Sequence, residues 1–162
     1  KKTMNLEVFL KDLNELFDEI EKKYKTKVTI ACSNKYKYKK NLFDNRKIIY
    51  GKTLRLISNS KFVMGHKSSA LVQVLSAQVP AVLLKHKTFD FMRNLKIELF
   101  SNNYFNSYAY YIEDLIKGKV ELNNKNMDKK FYKKILNNYF LTSNIKNENF
   151  GEKFCKEINK IN

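Results

Sequence analysis

Four short apolar segments, separated by helical patterns, constrain the fold of this chain most strongly. They lie at 27–32, 46–50, 61–65 and 80–85, and many of their residues are β-branched or aromatic types that favour strands. Strands that are apolar along their whole length and alternate with helices are typical of a parallel sheet covered on both faces. The alternation therefore predicts an α/β fold with about four to six parallel strands, helices on both faces, and these segments as neighbours.

The helices are predicted from apolar residues that recur every three or four positions. The first runs from Leu6 to Tyr24, with Thr3 or Asn5 as its N-cap. Further helix starts are predicted at Thr53, at Ser68 or Ser69, at residue 104, at Asp128 and at Asn149.

The length and composition of the chain suit one folded domain. It has 162 residues, of which 43% are hydrophobic and 14% aromatic. Residues 1–162 are predicted to form a single domain that is more helical from about residue 104, with 104–117 as one helix that stops at Gly118. The first helix begins within a few residues of Lys1, so we expect a fragment of a longer polypeptide. No apolar run approaches the roughly 18 residues of a membrane span.

Cysteine and histidine usage indicates neither a disulfide framework nor a metal centre. Cys32 and Cys155 are too few for a framework, and we expect free thiols in a reducing cytoplasm. His66 and His86 stand twenty positions apart without a neighbouring cluster of Cys or carboxylates. They therefore lack the spacing of a metal site, and we expect no metal and no cofactor.

Basic charge is concentrated in one part of the chain. The formal net charge is +16; residues 1–21 hold three Lys against six acids, and residues 22–55 hold twelve bases against a single acid. Because Tyr36, Tyr38 and Phe43 are interleaved with these bases, a non-enzymatic nucleic-acid-binding domain is one alternative. The bases are nearly all Lys, however, whereas phosphate and base recognition favours Arg. An anionic membrane surface is a further expected partner of the same charge.

The most informative motif joins a predicted strand end to a helix start. Gly65, His66, Lys67, Ser68 and Ser69 occupy this position. In open α/β sheets, ligands bind outside the carboxyl ends of the strands, where a helix N-terminus presents unpaired N–H groups to phosphate. Gly65 would let a phosphate approach the backbone closely. The serine hydroxyls would donate hydrogen bonds to it, and Lys67 or His66 would supply positive charge. The simpler interpretation is that Ser68 only caps its helix, because serine is a favoured cap.

Gly51-Lys52-Thr53 repeats this arrangement at the end of the preceding strand. It is not a Walker A loop, because that motif requires a glycine where Arg46 stands. A polar loop, Ser33-Asn34-Lys35, follows the first strand. Three neighbouring strand ends that converge on one anion favour a binding site over a helix cap. The residues predicted to bind this anion are Ser33, Asn34, Lys35, Gly51, Lys52, Thr53, Gly65, His66, Lys67, Ser68 and Ser69.

Four parts of the sequence carry a resemblance to known proteins: 45–53 (NRKIIYGKT), 60–63 (SKFV), 79–82 (VPAV) and the motif His66-x-Ser68-Ser69-Ala70. They resemble the C-terminal, donor-binding domain of bacterial capsule and surface-polysaccharide glycosyltransferases with the two-Rossmann-domain (GT-B) architecture, sialyltransferase-like members among them. The resemblance extends from Leu6 to about Leu84, or about half of the chain. It implies a Rossmann-like domain that is one half of that architecture.

This resemblance implies sugar transfer from a nucleotide-sugar donor to a glycan or lipid-linked glycan acceptor. In such members the paired hydroxyls contact the donor phosphate, which implies that role for Ser68 and Ser69, with His66 beside them. Helix N-termini and bases would stabilise the departing phosphate, so no metal is required. The general base normally comes from the N-terminal acceptor domain. We therefore assign no catalytic residue here and expect this chain alone to bind donor without turnover.

One departure from the family pattern concerns the loop after the first strand. Ser33-Asn34 stands where those members often have His-Pro, and neither residue carries the charge that a histidine would bring to the phosphate. Lys35 is the neighbour that could supply it. The difference implies a divergent donor or a weakened or absent activity. The expected location is the cytoplasm, at the periphery of the inner membrane.

Overall fold

The structure, a computed structural model, describes residues 4–35, 37–38, 40–66, 68, 70–119, 122 and 128–140. Of the helices in these ranges, none combines the length and apolar character that a membrane span requires. Several predicted features lie outside the described residues: Thr3, Tyr36, Lys67, Ser69, Cys155 and the helix expected from Asn149.

The first element, α1 (Leu6–Tyr24), is the amphipathic helix that the apolar spacing predicts. Asn5 caps it, because its Oδ1 accepts a hydrogen bond from the backbone N–H of Val8 at 3.2 Å. The helix ends at Lys25, whose φ of 46° is left-handed. Its buried residues are Phe9, Asp12, Leu13, Asn14, Leu16, Phe17 and Ile20.

Within the described residues, five strands pair in parallel, in two separate ladders. In the first, β1 (Thr29–Cys32) pairs with β2 (Lys47–Tyr50). In the second, β4 (Ala81–Lys85) lies between β3 (Val63–Gly65) and β5 (Tyr110–Tyr111). The predicted α/β class and parallel pairing are confirmed. Hydrogen bonding joins the described strands into one two-stranded and one three-stranded sheet rather than the single sheet expected, since the three-residue β3 pairs only with β4.

The helices after β2 and β3 have other N-caps than the sequence predicts, and α3 also begins later than expected. In α2 (Thr53–Ser58), Thr53 is the first helical residue, and the N-cap is Lys52, which makes no side-chain capping bond. In α3 (Leu71–Ala77), the N-cap is Ala70, again without a side-chain bond. Thr53 and Ser68 are therefore not N-caps. The two helices contact each other, and α2 also contacts β1.

The second half of the chain corrects the prediction of one helix over 104–117. The helix there is α4 (Phe91–Phe105), which ends at Asn106 with a left-handed φ of 49°. β5 follows, and then α5 (Ile112–Ile116). The repeat of aromatic and apolar residues across 104–117 has helical spacing, but the turn at Asn106 divides it between three elements. Part of the segment expected to be helical thus adds a strand to the second sheet.

The last described elements are α6 (Lys129–Ile135) and a π-helical turn, Leu136–Phe140. Asp128 caps α6 as predicted, with Oδ1 accepting from the N–H of Phe131 at 3.0 Å. Tyr132 of α6 is almost fully buried, and its ring lies 5.6 Å from that of Phe105. Burial raises the pKa of Tyr132 to about 12, so this phenol remains neutral in the core. α6 thereby covers α3 and α4, both of which it contacts.

Candidate functional site

Two of the three predicted loops meet beyond the carboxyl ends of β1 and β2. Gly51 has a φ of 69°, and its N–H donates to the carbonyl of Cys32 at 3.0 Å. A Cβ at Gly51 would lie 2.3 Å from Nδ2 of Asn34, so the backbone of one loop lies against a side chain of the other. In the same loop the N–H of Lys35 donates to Oγ of Ser33 at 3.2 Å. Glycine is favoured at 51 by its left-handed φ, and a Cβ there would also displace the exposed Asn34 side chain.

The third predicted loop follows β3, in the other ladder. Gly65 pairs with Leu83 of β4, and a Cβ added at Gly65 would make an ordinary van der Waals contact with the Leu71 side chain at 3.8 Å. Ser68 is exposed, and its Oγ accepts from the N–H of Ala70 at 3.3 Å. This bond makes a local turn before α3 and does not use the hydroxyl hydrogen of Ser68. Ser68 therefore forms a turn ahead of α3 without capping the helix, and its hydroxyl hydrogen can still be donated to a ligand.

His66 is held in one tautomer at the end of β3. Its Nδ1 lies 3.0 Å from the carbonyl oxygen of Leu84. A carbonyl only accepts, so Nδ1 carries the hydrogen and Nε2 of the neutral ring has the lone pair. The rings of Phe9 and Phe89 lie 5.3 Å and 5.1 Å from the His66 ring. Burial lowers the pKa of His66, and the positive charge of Arg93 adds to this effect, against the opposing bond to Leu84.

An open cleft of about 320 Å³ lies beside His66, where α4 begins. Arg93 and Lys96 of α4 bring two positive charges to its walls. Asp90 brings one negative charge, but its Oδ1 already accepts from the backbone N–H of Arg93 at 2.7 Å and caps the helix. With His66 neutral, the formal charge of the lining is +1, which favours an anionic ligand. The lining residues are His66, Asp90, Met92, Arg93, Lys96 and Ile97.

This cleft was not predicted from the sequence, although one signal was present. Asp90 stands directly before an apolar helical segment, in the position of an N-cap. The pattern of α4 is weakened by two exposed apolar residues at its start, Phe91 and Met92. The position of Arg93 against the carboxyl end of β3 depends on the packing of α4 on β4, which no local pattern reveals.

A second polar cluster joins α1, the loop after β4, and α5. His86 is fully buried, and its Nε2 lies 3.1 Å from Oδ2 of Asp12 and 3.4 Å from Oε1 of Glu113. The ammonium of Lys87 contacts the same Asp12 oxygen and lies 3.7 Å from Oε1 of Glu113. On the other side of the ring, Nδ1 lies 2.7 Å from Oγ1 of Thr88. We call Asp12, His86, Lys87 and Glu113 the charged clasp.

The carboxylate of Asp12 is ionised because of its partners in the charged clasp. Burial opposes ionisation, but hydrogen bonds and charge from Lys87 and His86 outweigh it, and the pKa of Asp12 is lowered. The hydrogen bond to Asp12 in turn raises the pKa of Lys87. The charged clasp thus holds ionised groups against a fully buried imidazole, and it links three elements that are distant in sequence.

The charged clasp also contains a donor set that suits a divalent cation. One ligand atom from each of Asp12, His86 and Glu113 lies within 4.8 Å of the others. Two features oppose a metal in this arrangement. Lys87 already supplies a positive charge to the Asp12 oxygen. The backbone N–H of Thr88 donates to Nδ1 of His86 at 3.2 Å, which leaves the hydrogen of the neutral ring on Nε2. A cation would have to displace both Lys87 and that hydrogen.

Part of the basic stretch at 22–55 is used inside the protein. The side chain of Arg46 is 6% exposed. Its Nη2 lies 2.5 Å from Oδ1 of Asp18, and its Nε lies 3.6 Å from Oε1 of Glu21. Two acids of α1 therefore neutralise the arginine that follows the polar loop. Of the proposed stacking residues, Phe43 is buried, while Tyr38 is 43% exposed. These contacts reduce the number of groups that the stretch offers to a nucleic acid.

Comparison with known proteins yields no relative for this chain: no family model, no curated protein and no solved structure matches it. The candidate site is therefore defined by its residues and geometry.

Proposed function

We propose that this chain is the nucleotide-sugar-binding domain of a glycosyltransferase, a Rossmann-like half of a GT-B architecture that acts in capsule or surface-polysaccharide biosynthesis. Parallel strand pairing supports the proposal, because ligands of open α/β sheets bind beyond the carboxyl ends of such strands. The predicted residues at these ends include Asn34 and Gly51, which are in contact, and His66, which lines a cleft. The observation that carries most weight is the cationic cleft beside His66.

In this proposal the chain contributes binding and electrostatic stabilisation of the departing nucleotide phosphate. Arg93, Lys96 and the loop that contains Ser68 provide charge and hydrogen-bond donors near the end of β3. No step requires a metal. An N-terminal acceptor domain would hold the glycan or lipid-linked glycan and supply the general base, so no catalytic residue is assigned in this chain.

The proposed location is the cytoplasmic side of the inner membrane, as a peripheral protein. The Lys-rich surface would attract anionic lipid, where a lipid-linked acceptor is found. Exposed Lys22, Lys25 and Lys27 surround one surface depression that would contribute to this attraction.

A nucleotide titration followed by amide chemical shifts tests the proposed function. CMP, UDP and inorganic phosphate are the probes, and we expect a nucleotide to shift the amides of 65–70 and 51–53. Ser69→Ala should weaken binding by about 1–3 kcal/mol if its hydroxyl donates to phosphate, whereas Ser69→Thr keeps the donor and should bind normally. Thermal melts confirm that both variants are folded. Equal shifts for phosphate and nucleotide, confined to 35–40, would contradict the proposal.

Salt dependence separates this function from the nucleic-acid alternative. A polyanion that contacts six or more lysines should lose roughly a thousandfold in affinity between about 50 and 200 mM salt, whereas a nucleotide in a cleft should lose far less. An oligonucleotide that binds more tightly than any mononucleotide, with that steep salt dependence, would favour the alternative.

A further inference from the structure

Arg93 is fixed in an orientation suited to binding before any ligand arrives. Its guanidinium carbon lies 4.0 Å from the centroid of the Phe89 ring, a cation–π contact. Its Nη1 lies 3.6 Å from Sδ of Met4. Phe89 also packs against His66, so this ring is a common support for two residues of the cleft. Ordering a long side chain in advance reduces the entropy lost on binding.

Lys96 stands three residues after Arg93, on the same exposed side of α4. Both are cationic, and both line the cleft. The carboxylate of Asp90 accepts a hydrogen bond from the backbone N–H of Arg93 at the N-terminus of α4. Its negative charge therefore offsets the positive end of the helix dipole more than the charges of Arg93 and Lys96. Two bases on neighbouring turns can contact the oxygens of one phosphate group.

The same cleft has apolar walls. Met92 is 54% exposed, whereas Ile97, in the middle of α4, is buried beneath the cleft. An exposed methionine beside two cations suits a ligand that combines an anionic group with a flat, less polar ring system. The cleft volume of about 320 Å³ lies at the lower end of the range for small-molecule sites. A nucleotide has this combination of properties, and inorganic phosphate does not.

We propose that Arg93 and Lys96 bind the phosphate of the donor nucleotide, with its nucleoside against Met92. This inference rests on the proposed function and names residues outside the family motif. It places the positive charge that binds the phosphate on α4, and not on the loop before α3. The seven-residue α3 begins only at Leu71, and the oxygen of Ser68 accepts from Ala70.

The test compares two double variants that remove the same charge from different places. Arg93→Gln with Lys96→Gln removes two positive charges from the cleft. Lys22→Gln with Lys25→Gln removes two from the depression lined by Glu21, Lys22, Lys25, Thr26 and Lys27. Binding of CMP and UDP is measured by isothermal titration calorimetry, with thermal melts to confirm folding. Lys96→Gln alone is a second cleft variant that leaves the Arg93–Phe89 contact intact.

We expect the wild-type chain to bind at least one of the two nucleotides. The Arg93→Gln, Lys96→Gln variant should weaken binding by about tenfold or more, and Lys96→Gln alone by about fivefold to tenfold, because hydrogen bonds to charged groups are being removed. The control variant should change affinity by less than about twofold, since exposed charges at a distance are screened.

Three outcomes would overturn the inference. Unchanged nucleotide binding in the cleft variants would place the phosphate elsewhere while leaving the proposed function intact. Equal losses in cleft and control variants would indicate attraction to overall charge. Binding of phosphatidylglycerol vesicles that depends on Arg93 and Lys96, without nucleotide binding by the wild type, would assign these residues to a lipid headgroup and would contradict the proposed function as well.

Discussion

The Nε2 atom of His86 lies 3.1 Å from the Oδ2 atom of Asp12, 74 positions earlier in the chain. Asp12 belongs to the buried face of α1, and His86 follows β4. The imidazole is fully buried. The contact therefore joins α1, inside the protein, to the carboxyl end of β4, the central strand of the second sheet. Phe9, one turn before Asp12, packs 5.3 Å from the same ring and from the His66 ring. The charged clasp thus lies behind one wall of the cationic cleft.

Replacing Asp12 with Asn should destabilise the fold. The variant removes the closer of the two carboxylates that face His86 and Lys87 and leaves only Glu113, and hydrogen bonds to charged groups contribute about 1.5–3 kcal/mol each. We expect a loss of about 1–3 kcal/mol in the free energy of unfolding, measured by urea denaturation. Asp114→Asn is the matched control, because its pair with Lys119 is largely exposed and should contribute only about 0–1 kcal/mol. Equal losses would contradict a special role for the charged clasp.

The charged clasp should make folding stability fall in acid. The pKa of Asp12 is lowered in the folded state, so the unfolded chain binds the proton more readily at intermediate pH. Its stabilising contribution is present above the unfolded pKa of about 3.9 and is lost as pH falls through the lower folded pKa. Urea denaturation from neutral pH to about pH 3 should show a shallower acid decline for Asp12→Asn than for the wild type. Parallel curves would show that other carboxylates dominate.

Divalent cations should leave the stability of the chain almost unchanged. Lys87 and the Nε2 hydrogen of His86 occupy the places that a metal would need between Asp12 and Glu113. A cation bound only to the folded state would add about 2.7 kcal/mol at about a hundred times its Kd. We expect no such rise in Tm with excess Zn²⁺, Mn²⁺ or Mg²⁺, measured by thermal melts. A rise that disappears in Glu113→Gln would establish a metal site at the charged clasp.

The contact between Gly51 and Asn34 should make Gly51→Ala more costly than its backbone conformation alone. A left-handed φ costs a non-glycine residue about 1–2 kcal/mol, and overpacking against the exposed Asn34 side chain adds less than the roughly 1–3 kcal/mol found in packed cores. Gly118→Ala is the control, because Gly118 has a φ of 67° and no atom within 4 Å of an added Cβ. The double variant with Asn34→Ala should recover the overpacking part, as measured by a double-mutant cycle. Additive effects would mean that the two loops do not meet.

Local patterns predicted much of the scaffold. The spacing of apolar residues located α1, and capping chemistry identified Asp128 and gave Asn5 as one of two candidates with Thr3. Four of the five strands were recognised within one or two residues at each end, because short β-branched runs carry their own preference for extended backbone. The fifth strand was missed because its residues, Tyr110 and Tyr111, also fit a helical repeat. The preference of Asn106 for a left-handed turn was too weak a signal to divide that repeat.

What the sequence by itself determined was therefore the alternation of helices and parallel strands, and the positions of polar loops at the strand ends. Which charges act in the interior and which remain at a site was decided only by the tertiary structure. The side chain of Arg46 is buried against Asp18, whereas Arg93 lines the cleft, and neither outcome is visible in the neighbouring sequence. The reason is physical: helix and strand periodicity depends on neighbours within a few positions, whereas ion pairing, desolvation and cleft formation depend on which distant segments pack together.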